Sequence, residues 1–390
     1  MNFRLGAAMV VAAAITLCAC ASPQTARPVV DASTLADEQH RQSIYVLESR
    51  ATDYRRVYDI ANRLSRANAE LCARQTQTIG VRFENLNDYG RDFREAARSL
   101  WGLDNTPTVN WVAEDSPASH AGIRVNDRIV AINGRAIPTN RDASRQAVRW
   151  LRDAAEDGNV TLQLRRGIES VVVSVTPRSD CAYQFYMSDD DAINAMADGQ
   201  SIYITRGMLR FVRTDEELAL VLGHELAHNA MRHIESAQQN ATMGMAGGLL
   251  LDVLAAGAGV NTGGAFTDAG GDIGRMMFAQ EFESEADYVG MYFMARAGYN
   301  IDGVENFWRR MSAESPRSIR LAYTHPNNAE RFLVLAATRQ EILRKQNSNL
   351  PLRPNMEGEH AAPEPITEAI TPTPAPSASE TPVAIAPGTP

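Results

Sequence analysis

Between Thr34 and Leu71 the apolar residues Ile44, Leu47, Tyr54, Val57, Ile60 and Leu64 recur at helical spacing. That period puts side chains on one face and predicts a long bracing helix. Further on, the pattern becomes strand-like. Ile129-Val130-Ala131-Ile132 runs into Asn133-Gly134, which reads as a strand followed by a turn. Val160 to Leu164 alternates, turns at Arg166-Gly167, and resumes over Val171 to Val175. A helix from Asp142 to Ala155 lies between these strands. Residues 76–180 therefore predict a small β-rich domain. Residues 181–346 read as mostly helical, with one clear strand from Ser201 to Thr205. The expected fold class is α+β and multidomain, with the β-rich domain preceding the helical one.

The two ends have a different character. Arg4 gives a positive start, and Leu5 to Leu17 is an apolar run too short for a usual membrane span. Residues 1–20 read as a signal peptide. Residues 21–75 hold a tether and the helical arm. Residues 347–390 contain ten of the 18 prolines, and a segment so rich in Pro, Ala, Thr and Glu cannot bury enough apolar surface to fold. That tail is expected to be disordered.

At 390 residues, 44% hydrophobic and 22% charged, the chain can build two domains with a sizeable core. A net charge of −9 argues against a nucleic-acid partner. Beyond Cys20 only Cys72 and Cys181 remain. In an exported protein an even pair reads as a disulfide, the alternative being two separate buried thiols.

The chemistry concentrates at His224-Glu225-Leu226-Ala227-His228. Thr214 and Glu217 have capping-box spacing, and Asp215 and Glu216 suit the positive end of a helix dipole. Leu218, Val221 and Leu222 supply a buried side. Two imidazoles four residues apart project from one face, which suits two nitrogens converging on one Zn²⁺. Glu225 is placed to act as a general base on metal-bound water. A catalytic zinc needs a third protein ligand, and Gln280 to Asp287 offers several carboxylates. Glu283 and Asp287 share one helix face. One can bind metal while the other accepts the N–H of a ligating His. Glu281 and Glu285 share a different face and read as solvated charges. The segment Gly244–Val260 is apolar and glycine-rich but only 17 residues long, short of a span of about 20. It reads as a mobile segment near the site, with a helical hairpin in the core as the alternative.

Three resemblances extend this reading. Leu17-Cys18-Ala19-Cys20 is similar to the bacterial lipobox, which implies lipidation of Cys20 and, with Ala21 following, an outer-membrane anchor. Ser116 to Ile123, with Asn126-Asp127-Arg128-Ile129 and Ile132-Asn133-Gly134, resembles the PDZ domains of bacterial envelope proteases. Such a domain would take protein C-termini, with Leu100-Trp101-Gly102-Leu103 as the candidate carboxylate-binding loop. Finally, several features resemble the gluzincin metallopeptidases that include the CAAX prenyl endopeptidase, HtpX and BepA. These are Asn194-Ala195-Met196-Ala197 with the following strand, HELAH with Arg232-His233, Glu283-x-x-x-Asp287, and Thr324-His325-Pro326 with Arg331.

That resemblance implies one Zn²⁺ per chain, held by His224, His228 and Glu283, with Glu225 as base. It also implies Asp287 and Arg331 in support, His325 at the active site, and Ile202, Tyr203 and Ile204 on an edge strand that receives substrate. His325 has two possible roles: an oxyanion donor, or an inhibitory ligand in a resting state, which is the expectation adopted. The implied function is a cell-envelope endopeptidase for misfolded or misassembled proteins, on the periplasmic face. Two alternatives differ in class: a PDZ-centred binding or chaperone lipoprotein with an idle peptidase site, and a peptidase for short peptides or prenylated substrates.

Overall fold

Asp31 opens the first helix by accepting hydrogen bonds from Ser33 N at 3.1 Å and Thr34 N at 3.0 Å. Helix α1 (Ala32–Ala67) then runs for 36 residues. In this computed structural model the described residues are Thr25, 27–258, 260–277, 279–314 and 329–356.

A β-rich unit follows α1. Its elements are β1 (Gln75–Thr78), β2 (Val81–Glu84), α2 (Arg94–Trp101), β3 (Thr108–Val112), α3 (Pro117–His120), β4 (Arg128–Ile132), β5 (Arg135–Ala136), α4 (Ala143–Glu156), β6 (Val160–Arg166), β7 (Glu169–Val175) and β8 (Arg178–Cys181). The main sheet has the order β2-β3-β4-β6-β7, with β5 paired to β4, while β1 pairs with β8. Alternation in β6 buries Val160, Leu162 and Leu164 against Ile129, Ile132 and Ala147. Asn126 and Asn133 adopt φ of 74° and 47°, left-handed turns that Asn tolerates.

Leu100-Trp101-Gly102-Leu103 is a helix end rather than a loop, and Trp101 and Leu103 line a cavity between the two units. The stretch closes α2, with Gly102 as a left-handed cap. Leu103 is buried with Leu47 of α1. An adjoining groove between edge strand β2 and α4 is lined by Ile79, Gly80 and Val81, and by Val148 and Leu151. A two-residue link, Ile79-Gly80, before a short strand leaves little pattern to read.

The helical unit contains β9 (Gln184–Ser188), β10 (Ala195–Ala197), β11 (Ser201–Thr205), α5 (Arg206–Phe211), α6 (Asp215–Ala230), α7 (His233–Gly257), α8 (Ala265–Met276), α9 (Ala279–Arg296), α10 (Glu305–Glu314) and α11 (Ala329–Asn347). Its core also contains Val57, Ile60 and Leu64 of α1, beside Leu222, Tyr292 and Phe293. The order therefore differs from a β-rich domain standing ahead of a helical one. The helical core draws on segments both before and after the β-rich unit. The glycine-rich stretch, read as a mobile segment or a helical hairpin, is helical. Up to Gly257 it continues α7, which packs along α8.

Helix α6 crosses α9 at two glycines. A Cβ on Gly223 would lie 3.2 Å from the Gly290 carbonyl, and one on Gly290 would lie 3.0 Å from His224 N. This close approach sets the distance between the two helices that carry the candidate chemistry.

Cys72 and Cys181 are bonded across 109 residues of sequence. Both are buried in the helical core. The bridge ties the end of α1 to the exit of the β-rich unit. Replacing both with Ala is expected to lower unfolding free energy by about 2–4 kcal/mol, because a long loop is released in the unfolded chain. Denaturant titration of oxidised parent against variant checks this, and equal stabilities would contradict it.

Candidate metal centre

Helix α6 is fixed at its start by Thr214, whose hydroxyl accepts from Glu217 N at 3.3 Å. The Glu217 carboxylate accepts from Arg213 N at 2.8 Å rather than from the cap residue's own N–H. It also takes two 2.7 Å bonds from Arg310 of α10. Every residue from Leu218 to Ala230 is buried, so the whole motif lies inside the protein. His224, Glu225 and His228 keep 1%, 3% and 6% exposure.

The two imidazoles face each other with Nε2 atoms 3.1 Å apart. Glu283 closes the triangle, its carboxylate oxygens 3.5 Å from His224 Nε2 and 3.3 Å from His228 Nε2. Three ligands at about 2.0–2.1 Å from one tetrahedral ion stand roughly 3.3 Å apart. The nitrogen–oxygen triangle therefore fits a zinc-type site, and its donors suit a divalent metal that accepts both imidazole and carboxylate. Burial alone would push the His224 imidazole down. Its hydrogen bonds to Asp287 and Glu283 outweigh burial and raise its pKa. A cation at Nε2 would displace that proton, since imidazole ligates as the neutral base. Burial lowers His228.

Each histidine is held from behind. His224 Nδ1 lies 2.9 Å from Asp287 Oδ1. Asp287 also receives Arg331 through two contacts of 2.6 Å. Burial opposes the Asp287 charge, but Arg331 and His224 keep its carboxyl below the usual range. Arg331 in turn lies over the Trp308 ring, 3.5 Å from its centroid.

His228 Nδ1 stands 3.0 Å from His233 Nδ1, and His233 Nε2 stands 3.0 Å from Glu285. With Nε2 of His228 turned to the cluster, one proton arrangement satisfies this chain. His228 Nδ1–H donates to His233 Nδ1, and His233 Nε2–H donates to Glu285. Sequence reasoning missed both supports. His233 entered only through the gluzincin resemblance, with no role assigned, and Glu285 read as a solvated charge. The available signal was an imidazole five residues after His228, at the start of the next helix.

Other expected site residues fall differently. Ile202, Tyr203 and Ile204 do not form an edge: β11 is the central strand, antiparallel to β10 and parallel to β9. Ile202 and Ile204 point into the core, and Tyr203 stacks on Tyr186 with centroids 5.4 Å apart. The open edge nearest α6 is β10, Ala195–Ala197. Pairing partners are invisible in a single strand's alternation, which is why β11 was misplaced. His325 and Cys20 lie outside the described residues.

Residues 159–339 match the family described as Peptidase family M48, and residues 108–166 match the PDZ domain family. The chain carries an M48 peptidase domain and a PDZ domain. Among its relatives is the beta-barrel assembly-enhancing protease of Yersinia pestis, 30% identical over 155 residues, covering 37% of this chain and 32% of the relative. The mitochondrial metalloendopeptidase OMA1 of Schizosaccharomyces pombe is 27% identical over 177 residues, covering 44% of this chain and 51% of the relative. Metalloprotease LoiP of Escherichia coli is 30% identical over 154 residues, covering 38% and 59%. Each match spans less than two thirds of the relative's own length.

The supporting contacts of the M48 domain make a measurable claim. Asp287→Ala and His233→Ala are each expected to weaken zinc binding by about 10–100-fold, the usual cost of losing a group that orients a ligand. Chelator competition measures this. Unchanged affinity in His233→Ala would remove His233 from the site.

Proposed function

We propose that this chain is a zinc-dependent endopeptidase of the bacterial cell envelope, acting on misfolded or misassembled proteins. The observation that carries the proposal is the triangle of buried His224 and His228 with partly buried Glu283, and Glu225 on the helix of the two histidines. His224, His228 and Glu283 would hold one Zn²⁺ per chain. When bound, Zn²⁺ lowers the pKa of water towards 7 and polarises a carbonyl. Glu225 takes the proton from the attacking water and returns one to the leaving amine. Its burial keeps bulk water from competing for that proton.

Substrate would lie extended along β10, adding a strand to an open edge. The β2–α4 groove would take protein C-termini. It continues into a cavity of about 690 Å³ lined by Tyr54, Tyr58, Arg82, Trp111, Arg149 and Tyr186, from both units. Aromatic walls with arginines suit an extended peptide ending in a carboxylate. The proposed boundaries are a PDZ-like domain over residues 76–180 and a peptidase domain over residues 181–346. Cys20 would carry the lipid that holds the protein to the outer membrane, facing the periplasm.

Glu225→Gln is expected to retain stoichiometric zinc and to lose about 10²–10⁴-fold in casein hydrolysis, the range for a general base. His224→Ala and Glu283→Ala are expected to lose the metal itself. Metal analysis and a protease assay on the same samples separate these cases. Full activity in Glu225→Gln would sink the proposal.

His325 is proposed as a resting-state inhibitory ligand. On that reading His325→Ala hydrolyses unfolded casein faster than the parent. A fall of about 10²–10³-fold at unchanged zinc content would assign it to the oxyanion instead.

A further inference from the structure

Helices α7 and α8 form a hairpin with inverted packing. Apart from His233, its buried positions are Ala241, Gly248, Gly271 and Gly274, all small. A Cβ on Gly244 would collide with the Gly270 carbonyl, one on Gly248 with the Phe266 carbonyl, and one on Gly274 with the Asn240 carbonyl. The large apolar side chains face outward. Met243, Leu250, Leu254, Ile273 and Met276 are each more than 60% exposed, and Phe266 is 45% exposed. In water this arrangement is backwards, because burial of the larger side chains is what drives helices together.

Charge identifies the medium that fits. From Ser236 to Thr267 the only ionisable side chain is Asp252. Its carboxylate is turned into the hairpin, where it accepts from the Thr262 hydroxyl, from Phe266 N at 3.3 Å and from Thr267 N at 2.9 Å. The outer face over that stretch therefore carries no formal charge. Ionisable side chains resume at Asp268, Asp272 and Arg275, at the base of the hairpin beside Ile273 and Met276. A protein-binding patch has a polar rim around its apolar centre, whereas here the charges stand at one end and do not ring the apolar stretch. Helices that associate in lipid do so through small residues that let backbones approach, with large apolar side chains turned to the acyl chains.

We infer that the α7–α8 hairpin inserts the uncharged apolar end that carries Leu250, Leu254 and Phe266 into one leaflet of a lipid bilayer. No helix among the described residues is long and apolar enough to cross a membrane, so the hairpin lies in the interface. It connects α6, which bears His224 and His228, to α9, which bears Glu283. Insertion would set the candidate metal centre beside the membrane surface. The inference rests on packing and charge, and holds whether or not the centre hydrolyses peptides.

Hydroxyl-radical footprinting of the full chain, with and without phosphatidylcholine vesicles, tests it at the hairpin itself. Labelling of Leu250, Leu254 and Phe266 is expected to fall several-fold with vesicles. Ile168 of the β-rich unit and Met356, both exposed away from the hairpin, should stay unchanged. Leu250→Ser/Leu254→Ser should restore Phe266 labelling in vesicles without changing thermal unfolding. Unchanged hairpin labelling with vesicles would overturn the inference. So would protection without lipid that grows with protein concentration, which means a second copy covers the face. Protection by unfolded casein, and not by vesicles, would overturn it in favour of a polypeptide partner.

Discussion

Asp287 is a carboxylate with 1% exposure, and an isolated charge there would cost several kcal/mol. It is held because Arg331 and His224 approach it from two sides. The rest of the site depends on that contact. Asp287 fixes which nitrogen of His224 faces the cluster. Arg331, from α11, locks a third helix onto the pair α6 and α9. Trp308 of α10 covers the guanidinium and brings a fourth helix into the same arrangement. Removing one partner would leave the others as uncompensated buried charges, a larger loss than the pair's own attraction.

That electrostatic arrangement requires a short distance between α6 and α9, and the distance comes from the backbone. Gly223 and Gly290 let the helices approach to where His224 and Asp287 can bond. The second histidine is held through His233, which leads to the Glu285 carboxylate at the surface. The two imidazoles thus meet different surroundings, one beside a buried ion pair and one at the end of an imidazole chain. Burial lowers His228, whereas hydrogen bonds to Asp287 and Glu283 outweigh burial at His224 and raise it.

Much of this was legible wherever one periodicity decides the outcome. Residues four apart on a helix share a face, so His224 with His228, and Glu283 with Asp287, could be grouped from spacing alone. Thr214 marked where α6 begins. The long α1 was legible as a helix, but its membership of the peptidase-side core was not, because nothing local says which unit a brace packs against. Contacts between elements were harder still. The His233–Glu285 contact joins two helices, and β11 is central only because β9 and β10 flank it. The glycines of Gly244–Val260 left two readings open, a mobile segment and a helical hairpin, for a physical reason. Glycine permits flexibility, but it also permits close approach, and composition cannot say which use applies. Burial can: Gly248, Gly271 and Gly274 are in contact, not in a loop.

The central claim is that His224, His228 and Glu283 form one metal centre whose geometry the buried Asp287 contact sets. Zinc K-edge absorption spectroscopy of the stoichiometrically loaded protein addresses it most directly. The account predicts a first shell of nitrogen and oxygen at about 2.0–2.1 Å with the outer-shell scattering of two imidazoles. The same spectrum from Glu283→Ala should show a changed shell or no bound zinc. A wild-type shell without imidazole scattering, or one unchanged in Glu283→Ala, would contradict it.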